Sequence, residues 1–416
     1  MTLYDRLYEL YAEFDTETLR AYREFVDLFP PLDSRVALDR WDEANADLTE
    51  RRDRIERAFA GPDGAALAEV AAMADRESAF TALDLHGKHG RAPNALVLDV
   101  DETLRSAGDT DNEIPRETLH LLTEFAEASG VPLVICTGQT LENVKGFLIQ
   151  GLGNELVHSG DVSVVYEAGA GVFTPGSGAD TKRLLYDELD DDVRGVVDRV
   201  RDGVLHEAPD RVRRGCHLQG NEFNVTLKPN YETGSDDAEA VIDEAMVHLL
   251  DLVGVAAGER LGLDDGPAAA RAYYADADPE IAGAIDRAGA AADGDVPEAA
   301  ATLFDRLEVA LYRADAAELA AADLHKAAGV EASLDVLGVD DPFVCVMGDS
   351  KSDLRVMEWA AANDAGVAAA PEHSSANVLD HVRATDDLVF APGAAADVLR
   401  TMYAWRCLAD LNRDAA

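Results

Sequence analysis

Three short apolar runs, each ending in a side chain able to do chemistry, constrain this chain more than any other feature. Ala95-Leu96-Val97-Leu98 runs into Asp99, Val131-Pro132-Leu133-Val134-Ile135-Cys136 into Thr137, and Pro342-Phe343-Val344-Cys345-Val346-Met347 into Gly348-Asp349. Runs this short and continuously apolar suit strands covered on both faces, the pattern of a parallel sheet. Helices are predicted between them at about 116–129 and 140–150, and further strands at Gly366–Ala370 and Leu388–Phe390. Strands alternating with helices predict a doubly wound α/β domain. In such sheets ligands bind beyond the carboxyl ends of the strands. Asp99, Thr137 and Asp349 are therefore expected to converge on one site.

That set suits phosphoryl transfer, which needs an in-line nucleophile and charge stabilisation around the transferring oxygens. A carboxylate can be the nucleophile and form an aspartyl-phosphate, dividing the reaction into two steps. A second carboxylate two residues on, Asp101, can protonate the leaving group and then activate water. Two anions alone would repel a phosphate ester. A hard divalent cation held by oxygen ligands reverses the local sign, and Mg²⁺ commonly binds one or two carboxylates together with substrate phosphate. Thr137 and Lys326 are candidates to hold the phosphoryl oxygens.

The sign of the local charge matters because the chain is strongly acidic, with 81 acidic against 36 basic residues and a net charge of −45. Its only lysines are Lys88, Lys145, Lys182, Lys228, Lys326 and Lys351. Acidity dispersed along the whole chain argues against nucleic-acid and anionic-membrane partners. It fits a halophilic cytoplasm, where the Debye length falls to about 3 Å at molar salt and self-repulsion is screened. No apolar stretch reaches the roughly 18 residues of a membrane span, and the N-terminus lacks the form of a secretory signal. A cytoplasmic location is expected. Cys136, Cys216, Cys345 and Cys407 have no CxxC spacing, so neither zinc nor a redox pair is indicated.

Asp99-Val100-Asp101-Glu102-Thr103-Leu104 resembles motif one, DxDxT, of the haloacid dehalogenase-like hydrolases. Ile135-Cys136-Thr137-Gly138 is similar to motif two, and Gly348-Asp349-Ser350-Lys351-Ser352-Asp353 to motif four, GDxxxD. Lys326, 23 residues before Asp349, falls where the motif-three lysine belongs. The resemblance covers roughly 93–405. It implies a Rossmann-like doubly wound parallel sheet with an inserted cap, and Mg²⁺ as cofactor. It also implies that Asp99 is nucleophile and metal ligand, and that Asp101 is acid/base and lends its carbonyl to the metal. Thr137 and Gly138 would bind the phosphoryl group, Lys326 would neutralise it, and Asp349 and Asp353 would hold the metal. Ser350 is expected to cap a helix, and His325 to be a local structural group.

Only 33 residues separate Thr103 from Thr137, but 188 separate Thr137 from Lys326, so the cap must lie in the second interval. Around Ser163–Phe173 the sequence resembles the β-hairpin that sugar-phosphatase members carry before the cap. The implied cap, with strands at Cys216–Gln219 and Phe223–Lys228 and helices near 236–252 and 297–312, is an α/β cap of the Cof-type subfamily IIB (type C2B). The expected organisation is an N-terminal helical extension at 1–90, core at 91–183, cap at 184–320, and core with a C-terminal helix at 321–416. The Ala-, Gly- and Asp-rich stretch 255–297 is expected to be a surface insertion or flexible loop. Lys228 and Asn224 are the cap's candidates for substrate contact. Lys326-Ala327 and Gly138-Gln139 depart from the Lys-Gly and Gly-Arg frequent in the subgroup.

Before residue 90, one stripe joins Leu3, Leu7, Leu10, Tyr11 and Phe14. A second joins Leu19, Tyr22, Val26 and Phe29, with Thr16 as N-cap and Phe29-Pro30-Pro31 as terminator. Trp41, Leu48 and Ile55 recur every seven residues, suiting a helical hairpin, a homo-oligomer seam or packing on the chain's own body. The expected function is a Mg²⁺-dependent phosphatase acting on a small phosphorylated metabolite, a sugar phosphate in particular. The alternatives are a phosphomutase of the phosphomannomutase type on the same scaffold, or a non-enzymatic assembly or partner-binding protein.

Overall fold

The computed structural model describes residues 2–29, 34–59, 62–105, 113–219 and 223–413. Five helices come first: α1 (Leu3–Glu13), α2 (Thr16–Leu28), α3 (Arg35–Ala58), α4 (Pro62–Met73) and α5 (Arg76–His89). Then follow β1 (Ala95–Asp99), α6 (Arg116–Glu127), β2 (Leu133–Cys136), α7 (Leu141–Leu152), α8 (Asn154–Val157), β3 (Val162–Tyr166), β4 (Gly171–Phe173) and β5 (Arg183–Leu184). A second unit holds α9 (Asp191–Gly203), α10 (Asp210–Gly215), β6 (Cys216–Leu218), β7 (Val225–Pro229), α11 (Ser235–Leu261), α12 (Gly266–Ala277), α13 (Pro279–Arg287), α14 (Glu298–Phe304), β8 (Leu307–Tyr312) and β9 (Ala316–Ala321). The chain then returns through α15 (Lys326–Val336), β10 (Val344–Met347), α16 (Lys351–Ala362), β11 (Gly366–Pro371), α17 (Ala376–Ala384), β12 (Leu388–Phe390) and α18 (Ala395–Arg413).

The larger sheet has the order β12-β11-β10-β1-β2-β3-β4-β5. The first six strands are mutually parallel, and β4 and β5 close the edge antiparallel. Every residue of β1, β2, β3 and β10 is buried. Their alternate side chains feed two different cores. Leu96, Leu98, Leu133, Ile135, Cys345 and Met347 join a core with residues of α6, α7, α18 and the five N-terminal helices. Ala95, Val97, Val134, Cys136, Val344 and Val346 face residues of α15, α16 and α17. The molecule is a doubly wound α/β fold, as the apolar runs imply.

The N-terminal helices share the first of these cores. Leu7, Leu10, Leu19, Leu48 and Ile55 lie in the same cluster as Leu96 and Trp405. Leu48 and Ile55 are covered by the chain's own body, and the Trp41 indole N–H donates to the Val26 carbonyl at 3.0 Å. That stripe is spent on intramolecular packing. Arg23 ties α2 to the body through Glu69 of α4 at 3.1 Å and Glu124 of α6 at 3.2 Å. The cap of α2 is Asp15 rather than Thr16: the Asp15 carboxylate reaches the Thr18 N–H at 3.2 Å, and Thr16 is the first helical residue. Pro30 and Pro31 lie outside the described residues.

The smaller sheet, β6-β7-β9-β8, is antiparallel throughout. One face packs on helices: Leu307, Leu311, Ala317 and Leu319 share a core with Val196, Val200, Ile242 and Leu249. Two expectations fail here. Residues 297–312 are not one helix, because α14 ends at Phe304 and β8 begins at Leu307. Leu307, Val309 and Leu311 alternate with Glu308, Ala310 and Tyr312, a period of two that puts one set on the helices. For 255–297 the loop alternative fails over most of the stretch, since α11 runs to Leu261 and α12 and α13 follow, and the longest part without helix or strand is 288–297. Two glycines let α11 and α12 approach closely: a Cβ on Gly254 would lie 2.3 Å from the Gly266 carbonyl oxygen, and one on Gly266 2.0 Å from that of Gly254. No helix among the described residues is long and apolar enough to cross a membrane.

Candidate active site

Strand β1 lies between β10 and β2, with Leu98 beside Met347 and Asp99 beside Cys136. The next residues of the neighbouring strands are Thr137 on one side and Gly348-Asp349 on the other. The sheet register therefore delivers Asp99, Thr137 and Asp349 to one crevice. Gly348 is needed for the approach of α16, since a Cβ there would fall 2.4 Å from the Asp353 Cβ.

Lys326 opens α15, and its ammonium donates to Asp99 Oδ1 and to Asp353 Oδ1, both at 2.6 Å. Its side chain is 3% exposed. Burial alone would push an ammonium's pKa down; the Asp353 and Asp99 carboxylates outweigh it and hold the Lys326 pKa above the usual lysine range. Removing one partner of such a buried set costs about 3–5 kcal/mol, because it strands a charge. Asp353 Oδ2 accepts the Ser350 N–H at 3.1 Å and the Ser350 hydroxyl at 2.6 Å. Ser350 thus caps α16 as expected. His325 is the N-cap of α15, its Nδ1 accepting the Ala328 N–H at 3.1 Å, which fits the structural part expected of it.

Asp99, Asp349 and Asp353 each bring a carboxylate oxygen within 4.8 Å of the others. Burial pushes the Asp99 carboxyl pKa well above its ordinary value, and the Asp353 charge adds to this against the pull of Lys326. Burial, again reinforced by Asp353, raises Asp349 to about 6. Among the described residues no hydrogen bond reaches the Asp349 carboxylate. Three close carboxylates with one ammonium between two of them leave excess negative charge, and this all-oxygen donor set suits a hard divalent cation.

Asp101 stands apart from that cluster. Its Oδ1 accepts from Arg105 Nε at 2.9 Å and Nη2 at 2.6 Å, and its Oδ2 from Gln139 Nε2 at 2.9 Å. Its side chain is 49% exposed, unlike the buried carboxylates of Asp99 and Asp353. Arg105 is a partner the sequence reading missed; its one signal was the four-residue spacing from Asp101. Thr137 is buried, and its Oγ1 accepts the Gln139 N–H at 3.1 Å. Gly138 is exposed, with open space where a Cβ would stand. Cys136 lies beside Asp99 in the sheet, but burial pushes its thiol pKa up, which disfavours a thiolate.

A cavity of about 220 Å³ lies against the polar face of the smaller sheet; Lys326 reaches it from the carboxylate centre, while Asp99, Thr137, Asp349 and Asp353 do not line it. The body supplies Glu167, His325, Lys326, Lys351 and Arg355; the smaller unit supplies Phe223, Asn224, Asp278, Glu308, Tyr312 and Glu318. The two sides touch through an ion pair, Arg355–Glu308, at 2.7 Å, and through Lys351 over the Tyr312 ring at 5.9 Å. Asn224 is buried, and its Oδ1 has no partner among the described residues. Lys228 does not line the cavity; it pairs with Asp315 at 3.4 Å. Glu318, which the sequence reading did not single out, accepts the Thr226 hydroxyl at 3.2 Å, and burial raises its pKa.

Fold and site together define an α/β protein with a carboxylate–lysine centre at the carboxyl ends of its central strands, under a second α/β unit. No family model matches the chain, and no curated protein does. Solved structures do resemble it. Trehalose-6-phosphate phosphatase of Aspergillus fumigatus is similar over 78% of this chain and 97% of its own, at 13% identity and TM-score 0.43. A Thermoplasma acidophilum protein is similar over 76% and 100%, at 13% identity and TM-score 0.42. A haloacid dehalogenase-like hydrolase from Bacteroides thetaiotaomicron is similar over 74% and 98%, at 13% identity and TM-score 0.38. These likenesses are distant.

Proposed function

We propose that the chain is a haloacid dehalogenase-like hydrolase, a Mg²⁺-dependent phosphatase that cleaves a small phosphomonoester, a sugar phosphate in particular. The observation that carries this is the Asp99–Lys326–Asp353 set, with Asp349 beside it, where three buried strands end and Lys326 also lines the adjoining cavity. Asp99, Asp349 and Asp353, with the Asp101 carbonyl, would hold Mg²⁺, which supplies Lewis-acid charge neutralisation at the phosphoryl oxygens. Asp99 is the nucleophile and forms the aspartyl-phosphate. Lys326 orients Asp99 and opposes the burial and the Asp353 charge that favour its protonated form, and the bound cation would favour the ionised form further. Asp101, held by Arg105 and Gln139, gives its proton to the leaving oxygen and then takes one from the attacking water. Thr137 and Gly138 receive the phosphoryl oxygens. The second unit acts as a cap whose closure excludes water, with Asn224 facing the leaving group.

Hydrolysis is favoured over the mutase reading by the sign of the cap's contribution. The charged residues it brings to the cavity are Asp278, Glu308 and Glu318, and every basic group among the described lining residues comes from the body. A bisphosphate would need a cation on the cap side to receive its second phosphate.

The test is phosphate release from a panel of sugar phosphates and other phosphomonoesters in molar KCl, with and without Mg²⁺. Metal-dependent release that is lost in Asp99→Asn supports the reading. Full activity in that variant, or in EDTA, would overturn it.

A further inference from the structure

One element of the site has no part in the chemistry above. The turn after β3, Glu167-Ala168-Gly169, has three successive positive φ angles of 48°, 55° and 108°. Two of these residues are not glycine, so this is a conformation the chain adopts only when its surroundings impose it. The surroundings are the catalytic loops. The Glu167 N–H donates to the Gln139 carbonyl at 3.0 Å, and the Ala168 N–H donates to the Thr137 carbonyl at 3.0 Å. Gly169 abuts the start of α15, where a Cβ would lie 2.3 Å from the His325 carbonyl carbon and 2.9 Å from the Lys326 nitrogen. The turn is thus wedged between the loop carrying Thr137 and the helix carrying Lys326.

The side chain of the first of these residues points the other way. Glu167 is 4% exposed, and its Oε2 accepts the backbone N–H of Phe223 at 3.2 Å. Phe223 belongs to the second unit, two residues before β7, and its ring stacks on Tyr186 with centroids 4.9 Å apart. Tyr186 lies in the segment by which the chain first leaves the body. Asn224, the next residue, lines the cavity. One carboxylate therefore joins the position of the cap strand to the loop of Thr137 and Gln139, and Gln139 in turn holds Asp101.

We infer that Glu167 is a positioning residue that couples cap closure to the placement of Thr137, Gln139 and Asp101. With the cap seated, the Phe223 N–H satisfies a buried carboxylate and stiffens the turn against the Thr137 loop. With the cap lifted, that carboxylate loses a donor and the turn loses one of the contacts that impose its conformation. The site is assembled only when it is covered, which restricts aspartyl-phosphate formation to substrates over which the cap closes.

The proposal rests on the phosphatase reading, so its test has one readout that needs no turnover. Glu167→Ala removes the acceptor; Glu167→Gln keeps an oxygen for the Phe223 N–H. With p-nitrophenyl phosphate as probe ester and Mg²⁺ present, kcat of E167A should fall about tenfold or more while KM moves less than about threefold. E167Q should recover to within about threefold of the parent. Hydrogen exchange on the full chain should show linked losses of protection, about tenfold, in residues 137–140 and 223–227 of E167A, with residues 344–347 unaffected. A kcat within about twofold of the parent in E167A, or E167Q as impaired as E167A, would overturn the coupling. So would exchange that quickens only at 223–227. If the parent chain releases no phosphate from any ester, the phosphatase reading fails and the exchange pattern alone decides the coupling.

Discussion

The two sheets of this molecule place polar side chains by different means. In the central strands of the larger sheet both faces are buried, so a reactive group can stand only where a strand ends, and Asp99, Thr137 and Asp349 all do. In the antiparallel sheet one face has no helix layer and lines a cavity instead, so polar residues stand along the strands: Thr226 on β7, Glu318 on β9, Glu308 and Tyr312 on β8. The first arrangement fixes a few groups rigidly by backbone register. The second offers a surface whose members can change without disturbing the strands. Chemistry placed by the one and selection by the other is the division of labour proposed above, and perturbing each sheet should give effects of different size and kind.

The largest effect belongs to the strand end. Asp99→Asn keeps the volume but removes the charge of the proposed nucleophile, and phosphate release should fall on the order of a thousandfold or more. Lys326→Met comes next. It leaves Asp99 and Asp353 facing each other in the interior without their ammonium, and should cost about 3–5 kcal/mol in denaturant unfolding as well as activity. If K326M is as stable as the parent, the buried carboxylates are being neutralised by some other group, and the account of the centre is wrong.

The asymmetry between the sheets also explains what could be read from sequence. Asp99, Thr137 and Asp349 were legible as strand-end residues because that pattern is local: an apolar run, then a polar side chain; Asp101 and Lys326 were read from their spacing to Asp99 and Asp349. The smaller sheet was only half legible. Strand β9 reads Ala316-Ala317-Glu318-Leu319-Ala320-Ala321, four alanines in six residues, a composition that favours helix and is depleted in strands. It is a strand because Ala317, Leu319 and Ala321 pack on the helices behind it, which is tertiary context and not propensity. With β9 unseen, Glu318 had no reason to be noticed. Glu167 was hidden differently, since its importance lies in a contact 56 residues away in sequence.

The helices of the second unit give a prediction on which two readings differ in sign. If Gly254 sat in a flexible or purely solvated stretch, Gly254→Ala would be neutral or stabilising by up to about 1 kcal/mol, since alanine is the better helix former. In this structure the added methyl meets the Gly266 backbone, so the variant should lose about 1–3 kcal/mol. Calorimetric melting of the two chains in molar KCl would decide between them.

The smallest effect is a pH dependence at the strand ends, and its sign follows from the carboxylates. Burial raises the pKa of Asp99, and raises that of Asp349 to about 6. For a carboxyl whose folded pKa is raised, the stabilising form is the protonated one. That contribution is complete below the unfolded value near 4 and is lost as pH rises through about 6. Without metal, Asp349 should therefore make the fold progressively less stable over this interval. A divalent cation acts in the opposite sense, because it binds the deprotonated form and competes with the proton. The difference in Tm with and without Mg²⁺ should thus be small at pH 5 and larger at pH 7.5. Taking the difference removes the background from the other acidic residues, whose ionisation is common to both samples. In Asp349→Asn the dependence should flatten, because the group that exchanges a proton for the metal is gone. A Mg²⁺ increment that shrinks as pH rises would mean that the cluster is not where the cation binds. The distinction between a reactive strand end and a recognition face would then need a different metal site.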